Sequence, residues 1–162
     1  MRNRWRLRVM LLLAAAGLSA CTNAPPRAAA DEQARDCPDV TRLHAPQLYG
    51  SWELDLVQAG LRGRLTLRQH PEFSASLRGE FRYGGQASIA SGDVEAGEFH
   101  LDESRDGKTL FAFWSGRLLA TACGAEIRGQ WQTVPTDQRP GQESEFILRR
   151  ASGAGAASGA VW

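Results

Sequence analysis

Apolar and polar residues alternate with a period of two along most of residues 48–150. Trp52, Leu54 and Leu56 alternate with polar neighbours, and the same pattern returns at Phe99 and Leu101. Successive side chains of a strand point to opposite faces, so this pattern is typical of strands with one buried face. Within residues 48–150, no stretch of ten residues without glycine has its apolar residues at the spacing of a helix. The pattern predicts eight strands, at 49–57, 61–69, 75–83, 86–93, 97–103, 108–119, 124–133 and 143–150.

Short turns connect the predicted strands. Gly84-Gly85, Glu95-Ala96-Gly97 and Arg105-Asp106-Gly107-Lys108 have the composition of hairpin turns. Connections this short favour antiparallel pairing of consecutive strands over crossovers. We therefore predict an all-β domain, an eight-stranded antiparallel up-and-down meander closed into a small barrel, because closure removes the exposed edges of an open sheet. A β-sandwich is the alternative.

A weak internal repeat of glycine supports closure. Six glycines each precede a large apolar residue by two positions, on the same face of the strand: Gly50, Gly63, Gly79, Gly97, Gly116 and Gly129. Glycine weakens a strand, so its recurrence on a buried face indicates strong coiling around a small barrel. Chance in a glycine-rich chain is the competing explanation.

The alternation also predicts which side chains fill the barrel. The predicted inward set is Trp52, Leu54, Leu56, Leu65, Leu67, Leu77, Phe81, Ile89, Phe99, Leu101, Phe111, Phe113, Ile127, Trp131, Phe146 and Leu148. The carboxylates Glu53, Asp55, Asp93, Glu98, Asp102 and Glu103 are placed on the solvent face. An eight-stranded barrel is just wide enough for side chains to fill it or for one small ligand. We expect a filled interior without inward charge, and a binding surface on the loops at one rim.

The segment Leu48-Tyr49-Gly50-Ser51-Trp52 resembles the start of the lipocalin and calycin group. In that group a Gly-x-Trp motif opens the first barrel strand, and a basic residue of the last strand covers the indole. The resemblance assigns structural roles to Gly50 and Trp52 and offers Arg149 or Arg150 as the covering residue. Residues from Gln69 to Gly124 also resemble uncharacterised proteobacterial lipoproteins, a likeness that implies no activity.

The first twenty residues have the layout of an export signal. Four arginines, and no acidic residue, precede an apolar run at 9–18 that is shorter than the roughly 20 residues a membrane-spanning helix needs. Leu18-Ser19-Ala20-Cys21 resembles the bacterial lipobox, which implies cleavage between Ala20 and Cys21 and lipid attachment to Cys21. By resemblance to the common sorting rule of such lipoproteins, Thr22 in place of Asp after the cysteine favours the outer membrane, facing the periplasm, and the periplasmic face of the inner membrane is the alternative. An ordinary secreted protein with Cys21 in a disulfide is the competing interpretation.

The chain therefore divides into four segments. We predict a signal peptide at 1–20, a lipidated N-terminus and tether at 21–36, the barrel domain at 37–150, and a disordered tail rich in Gly, Ala and Ser at 151–162. With Cys21 acylated, Cys37 and Cys123 form an even pair in an oxidising compartment, which predicts a disulfide. A free thiol acting as a nucleophile is the alternative for these two cysteines.

Charge and motifs restrict the function. Four of the 19 basic residues lie in the leader, so residues 21–162 carry 15 basic against 18 acidic residues, and nothing indicates a nucleic-acid partner. The three histidines are not spaced as metal ligands, and no nucleophile elbow, phosphate loop or dinucleotide fingerprint is present. We assign no catalytic residue, no metal and no cofactor.

The hypothesis from sequence is a membrane-anchored periplasmic lipoprotein whose non-enzymatic β-barrel is a binding or interaction module. Its predicted partners are the membrane, through the N-terminal lipid, and either a periplasmic protein or a small apolar ligand. Alternatives are an inhibitor of a lysozyme or protease, a carrier of a small apolar ligand, and an envelope structural role.

The lipid anchor is tested by Cys21→Ala. Without the sulfur that accepts the lipid, the chain should stay unprocessed or be cleaved elsewhere, and it should no longer float with membranes. Metabolic labelling with a fatty acid and gradient flotation measure both effects, with Cys123→Ala as the control that keeps Cys21. Unchanged lipid labelling of the Cys21→Ala chain would refute the assignment.

Overall fold

The computed structural model describes residues 37–152. Its eight strands are β1 (Gly50–Leu56), β2 (Leu61–Gln69), β3 (Leu77–Tyr83), β4 (Gln86–Glu95), β5 (Glu98–Ser104), β6 (Leu110–Leu118), β7 (Glu126–Thr133) and β8 (Glu143–Arg150). Each strand pairs antiparallel with the next, and β1 pairs with β8, which closes the barrel. The predicted meander barrel is confirmed, with every strand boundary within two residues of its predicted position. The β-sandwich alternative is wrong.

Three short helical segments accompany the strands. A 3-10 turn at Val40–Arg42 and the one-turn helix α1 (Ala45–Leu48) precede β1, and a second 3-10 turn at Ala120–Ala122 follows β6. Within residues 37–152 no helix has the length and apolarity to cross a membrane. The predictions of a signal peptide, cleavage at Ala20-Cys21, lipid on Cys21, a tether and most of the tail fall on residues 1–36 and 153–162, outside the described part.

The two ends of the barrel differ. The upper end carries the connections at 57–60, 84–85, 105–109 and 134–142, and the lower end carries residues 37–49 and the loop 119–125. A disulfide between Cys37 and Cys123, 86 residues apart, ties the start of the described chain to the lower end and confirms the predicted pair.

Trp52 and Arg150 form the floor of the barrel at the lower end. The Trp52 side chain is fully buried, and its Nε1 donates a hydrogen bond to the Leu48 carbonyl of α1 at 3.0 Å. The Arg150 guanidinium lies 4.5 Å from the centre of the indole and donates to the carbonyls of Tyr49 and Gln47. The covering residue that the resemblance implied is thus Arg150, because Arg149 points outward to Glu126 at 3.1 Å. 

Gly50 lies next to the Arg150 guanidinium. Its φ of +126° is a conformation that side chains disfavour, and a Cβ there would lie 3.7 Å from the Arg150 guanidinium.

Three of the six repeated glycines, Gly63, Gly116 and Gly129, lie where neighbouring strands come very close. Gly116 and Gly129 are cross-strand partners, and a Cβ on Gly129 would lie 2.0 Å from the Ser115 carbonyl oxygen. A Cβ on Gly63 would lie 2.2 Å from the Arg82 carbonyl oxygen. Both distances are shorter than real Cβ atoms show, so the close approach of the neighbouring backbone requires glycine at these positions. Gly97 differs, because it lies in the β4–β5 turn with a φ of +80°.

The interior is filled by large side chains, largely those of the predicted inward set. Two members of that set are wrong. Ile89 is half-buried on the outer face, because β4 presents the small residues Ser88 and Ala90 inward. Phe113 is 45% exposed, because a bulge changes the phase of β6.

The bulge lies at Phe111. Glu103 pairs with Ala112 and Ser104 with Leu110, so Phe111 has no partner on β5. As a result Phe111 and Ala112 are both buried, and Trp114, which the sequence analysis left out, stacks on Phe81 with ring centres 4.4 Å apart. Glu103 is fully buried, so its placement on the solvent face and the expectation of an interior without charge are wrong.

The floor is tested by comparing Arg150→Met with Arg149→Met. Arg150→Met removes the contact with the indole and two hydrogen bonds to carbonyls, so it should lower the free energy of unfolding by about 1–3 kcal/mol. Arg149→Met breaks only an exposed ion pair and should change it by less than about 1 kcal/mol. Urea denaturation measures both, and equal losses would show that Arg150 has no special role.

Candidate functional site

A buried hydrogen-bond network lies in the upper half of the barrel, centred on Glu103. Its carboxylate accepts hydrogen bonds from the Tyr83 hydroxyl at 2.9 Å, the Ser88 hydroxyl at 2.5 Å and the Trp114 Nε1 at 2.9 Å. These residues come from β3, β4, β5 and β6, and each side chain is more than nine-tenths buried. An indole N–H can only donate, so Glu103 Oε2 must accept from Trp114. One carboxylate therefore joins four consecutive strands.

The same network determines the state of Tyr83. Burial, followed by the charge of the Glu103 carboxylate, raises the pKa of the Tyr83 hydroxyl far above its ordinary value. Tyr83 consequently stays a hydrogen-bond donor throughout the physiological pH range. With three donors directed at one carboxylate, the network is suited to holding the upper half of the barrel in one arrangement.

Trp131 lies beside this network and is less well satisfied. Its ring contacts those of Tyr83 and Trp114 at centre-to-centre distances of 6.3 and 6.1 Å. Its Nε1 is the one buried side-chain polar atom in residues 37–152 that has no hydrogen-bond partner. A buried donor without an acceptor lowers the free energy of unfolding. The aromatic contacts of the Trp131 ring offset this cost.

Two arginines cover Phe111 at the upper end. The Arg105 guanidinium lies 3.6 Å from the centre of the Phe111 ring, and that of Arg139 lies 5.0 Å from it. Cations over an aromatic face are attracted to it, which limits the motion of both side chains. They come from different connections, β5–β6 and β7–β8, so Phe111 links the two loops.

Each of these loops has its own internal bonds. The Asp106 carboxylate accepts from the backbone N–H groups of Lys108 and Thr109 and from the hydroxyls of Ser104 and Thr109. These bonds, the backbone ones first, hold the pKa of Asp106 well below its ordinary value, so the loop keeps this acceptor in acid. Arg139 exchanges two backbone hydrogen bonds with Thr136. Both arginines are therefore carried by ordered turns.

Large apolar side chains are exposed around the same end. Val57, Leu110 and Phe113 are 44%, 37% and 45% exposed. Phe113 also borders a groove of about 360 Å³ that runs under the β7–β8 connection, lined by Gln132, Thr133, Val134, Pro135, Gly141, Gln142 and Glu143. We call the exposed set Val57, Arg105, Leu110, Phe113 and Arg139 the upper rim. Aromatic residues and arginine are the types that contribute most at protein interfaces.

The residues singled out from the sequence lie elsewhere. Gly50, Trp52, Arg150, Cys37 and Cys123 are gathered at the lower end, and Arg149 is on the outer surface. Cys21 and Ala20 lie outside the described residues. The sequence did contain a signal for Glu103, because it continues the inward phase of Phe99 and Leu101.

Neither the comparisons with known proteins nor the side-chain geometry of residues 37–152 identifies a catalytic or metal site. No protein-family model matches the chain, and no curated protein matches it. Within residues 37–152 no group of three or more His, Cys, Asp or Glu side chains is placed to hold a metal ion. The upper rim lies at the same end of the barrel as the Glu103 network, and its exposed apolar residues and two arginines make it the candidate site.

The Glu103 network is tested by comparing Glu103→Leu with Glu103→Gln. Leucine leaves the Tyr83, Ser88 and Trp114 donors without an acceptor, so the free energy of unfolding should fall by about 3 kcal/mol or more. Glutamine keeps an oxygen for Trp114, and the two hydroxyls can accept from its amide, so the loss should be about half as large. Urea denaturation compares the two, and a Glu103→Leu protein as stable as the wild type would contradict this role.

Proposed function

We propose that this chain is a lipid-anchored periplasmic lipoprotein whose barrel is a non-enzymatic module that binds a partner protein through the upper rim. The exposed apolar set Val57, Leu110 and Phe113, at the end opposite the Cys37–Cys123 disulfide, carries the proposal. An inhibitor of a periplasmic enzyme is one form of such a module.

The position of the disulfide supports this orientation. Cys21 and Cys37 are separated by residues 22–36, a length that reaches at most about 50–60 Å. The disulfide brings the barrel end of this segment to the loop 119–125 at the lower end. A lipid on Cys21 therefore leaves the upper rim free for a protein in the periplasm.

The packing of the interior favours a partner protein over a small apolar ligand. Phe81, Tyr83, Trp114, Trp131 and Phe146 pack against one another in the upper half of the barrel, where a ligand would enter. A ligand inside would have to displace these rings and open the Glu103 network. Binding on the outside requires no such rearrangement.

Site-specific photo-crosslinking tests the upper rim. A photoreactive phenylalanine analogue at position 113 of the full chain, in intact cells, should give one discrete protein adduct. The same analogue at Asp93, which is exposed on the lower half of β4, is the matched control and should not give it. The double substitution Arg105→Gln and Arg139→Gln should reduce the adduct several-fold.

Three results would contradict the proposal. An adduct that forms equally at positions 93 and 113, or no adduct at 113, would show that the upper rim is not the contact surface. A small apolar molecule recovered at one equivalent from the delipidated protein would favour the carrier alternative.

A further inference from the structure

Arginines are concentrated on the outer face of the β2–β3 hairpin. Five of them project from this face: Arg62, Arg64 and Arg68 on β2, and Arg78 and Arg82 on β3. We call these five residues the arginine face. They extend over about 20 Å along β2, since residues 62 and 68 are six positions apart.

The register places like charges opposite each other on this face. Arg64 is the cross-strand partner of Arg82, and Arg68 is that of Arg78. Like charges directly opposite destabilise a sheet. Arg68 is compensated by Glu80 at 2.8 Å, but neither Arg64 nor Arg82 has a carboxylate within 4.0 Å in the part of the chain described here. Glu53 is the partner of Arg64 on β1, yet it does not reach that distance.

A second pair of opposed arginines in this barrel is neutralised by neighbouring carboxylates. Arg117 and Arg128 are cross-strand partners on β6 and β7. There Arg117 binds Glu98, and Arg128 binds Glu126. The repulsion between Arg117 and Arg128 is thus neutralised by carboxylates of the barrel, whereas that between Arg64 and Arg82 is not. This difference indicates that the anions for Arg64 and Arg82 belong to a partner molecule.

An exposed aromatic residue lies at the lower tip of the same hairpin. Phe73, in the β2–β3 connection, is 60% exposed, the largest exposure among the large apolar residues described. The connection is ordered, because His70 Nδ1 accepts hydrogen bonds from the N–H groups of Glu72 and Phe73. The hairpin therefore combines a row of guanidinium groups with an apolar tip at the end where the chain enters the barrel.

This combination points to one partner. Guanidinium groups bind phosphate in a two-pronged geometry, and basic surfaces with an exposed aromatic residue bind at the headgroup level of membranes. A row of about 20 Å on a convex surface fits several phosphates in a plane rather than one enclosed anion. We infer that the arginine face and Phe73 form a docking surface for a membrane that displays phosphate-bearing anionic lipids, with the barrel lying on its β2–β3 side. The upper rim stays accessible in that position, and the surface acts independently of lipid on Cys21.

Vesicle flotation tests this docking surface. The protein is a chain that begins at Thr22, which lacks Cys21 but keeps every described residue, including the whole core and the disulfide. It should bind vesicles of phosphatidylcholine with 30% phosphatidylglycerol, and bind pure phosphatidylcholine at least about tenfold more weakly. Salt at 0.5 M should abolish most of the binding.

Matched variants separate this surface from net charge. Arg64→Gln with Arg82→Gln should weaken binding about tenfold or more, whereas Arg117→Gln with Arg128→Gln, which removes the same charge, should change it less than twofold. Phe73→Ser should weaken binding several-fold. The Arg64 and Arg82 double variant should also unfold at or above the wild-type temperature, because a repulsive pair has been removed. That measurement shows that lost binding is not lost folding.

Four results would overturn the inference. Equal losses of vesicle binding in the two double variants would show that binding depends only on net charge. Equal binding to duplex DNA, unchanged by Phe73→Ser, would indicate a soluble polyanion. Saturation by millimolar inorganic phosphate without vesicle binding would indicate a small-anion site. Self-association that disappears with Arg64→Gln and Arg82→Gln would make this face an interface between copies of the chain. A failure of the lipid anchor on Cys21 leaves all these measurements unaffected.

Discussion

Closure of the sheet between β1 and β8 is the constraint on which the rest of the structure depends. Trp52 pairs with Arg150 and Leu56 with Phe146, and this seam gives every strand a hydrogen-bonded neighbour on both sides. Closure fixes which residues point inward, since a shift by one residue would exchange the two faces of a strand. It also forces adjacent backbones so close at Gly116 and Gly129 that no side chain fits. The filled core, the floor and the two distinct ends all follow from the seam.

The sequence predicted the strands well because the alternation is strict where the sheet is regular. From Trp52 onward every second residue of β1 is buried, and the inward residues of this strand follow directly from the sequence. The disulfide was predicted from the number of cysteines and an expected oxidising compartment, and the covering residue of Trp52 was limited to two candidates. Choosing Arg150 over Arg149 required the register, because adjacent residues of a strand point to opposite faces.

The prediction failed where local chemistry competes with the pattern. In β4 the inward residues Ser88 and Ala90 are small. The prediction therefore placed the large Ile89 in the interior, although its side chain faces outward. In β6 the bulge at Phe111 changes the phase, and an apolar run from Leu110 to Trp114 conceals it. Glu103 was assigned to the solvent face by residue type instead of by phase, so the buried network centred on it was missed. Nothing in the sequence alone brings Arg105 and Arg139 onto one ring, because that contact joins two loops of different hairpins.

The seam also constrains the order in which strands can pair during synthesis of the chain. The first strand needs the last one, because the cover of Trp52 is Arg150, which ends β8. A chain that emerges from its N-terminus exposes β1 early, and about 100 residues must follow before its partner strand is present. Contacts of such sequence separation make folding slow, since a long loop has to close before the contact forms. The barrel therefore closes only after residue 150 has emerged, and until then one edge of β1 has no hydrogen-bonded partner strand.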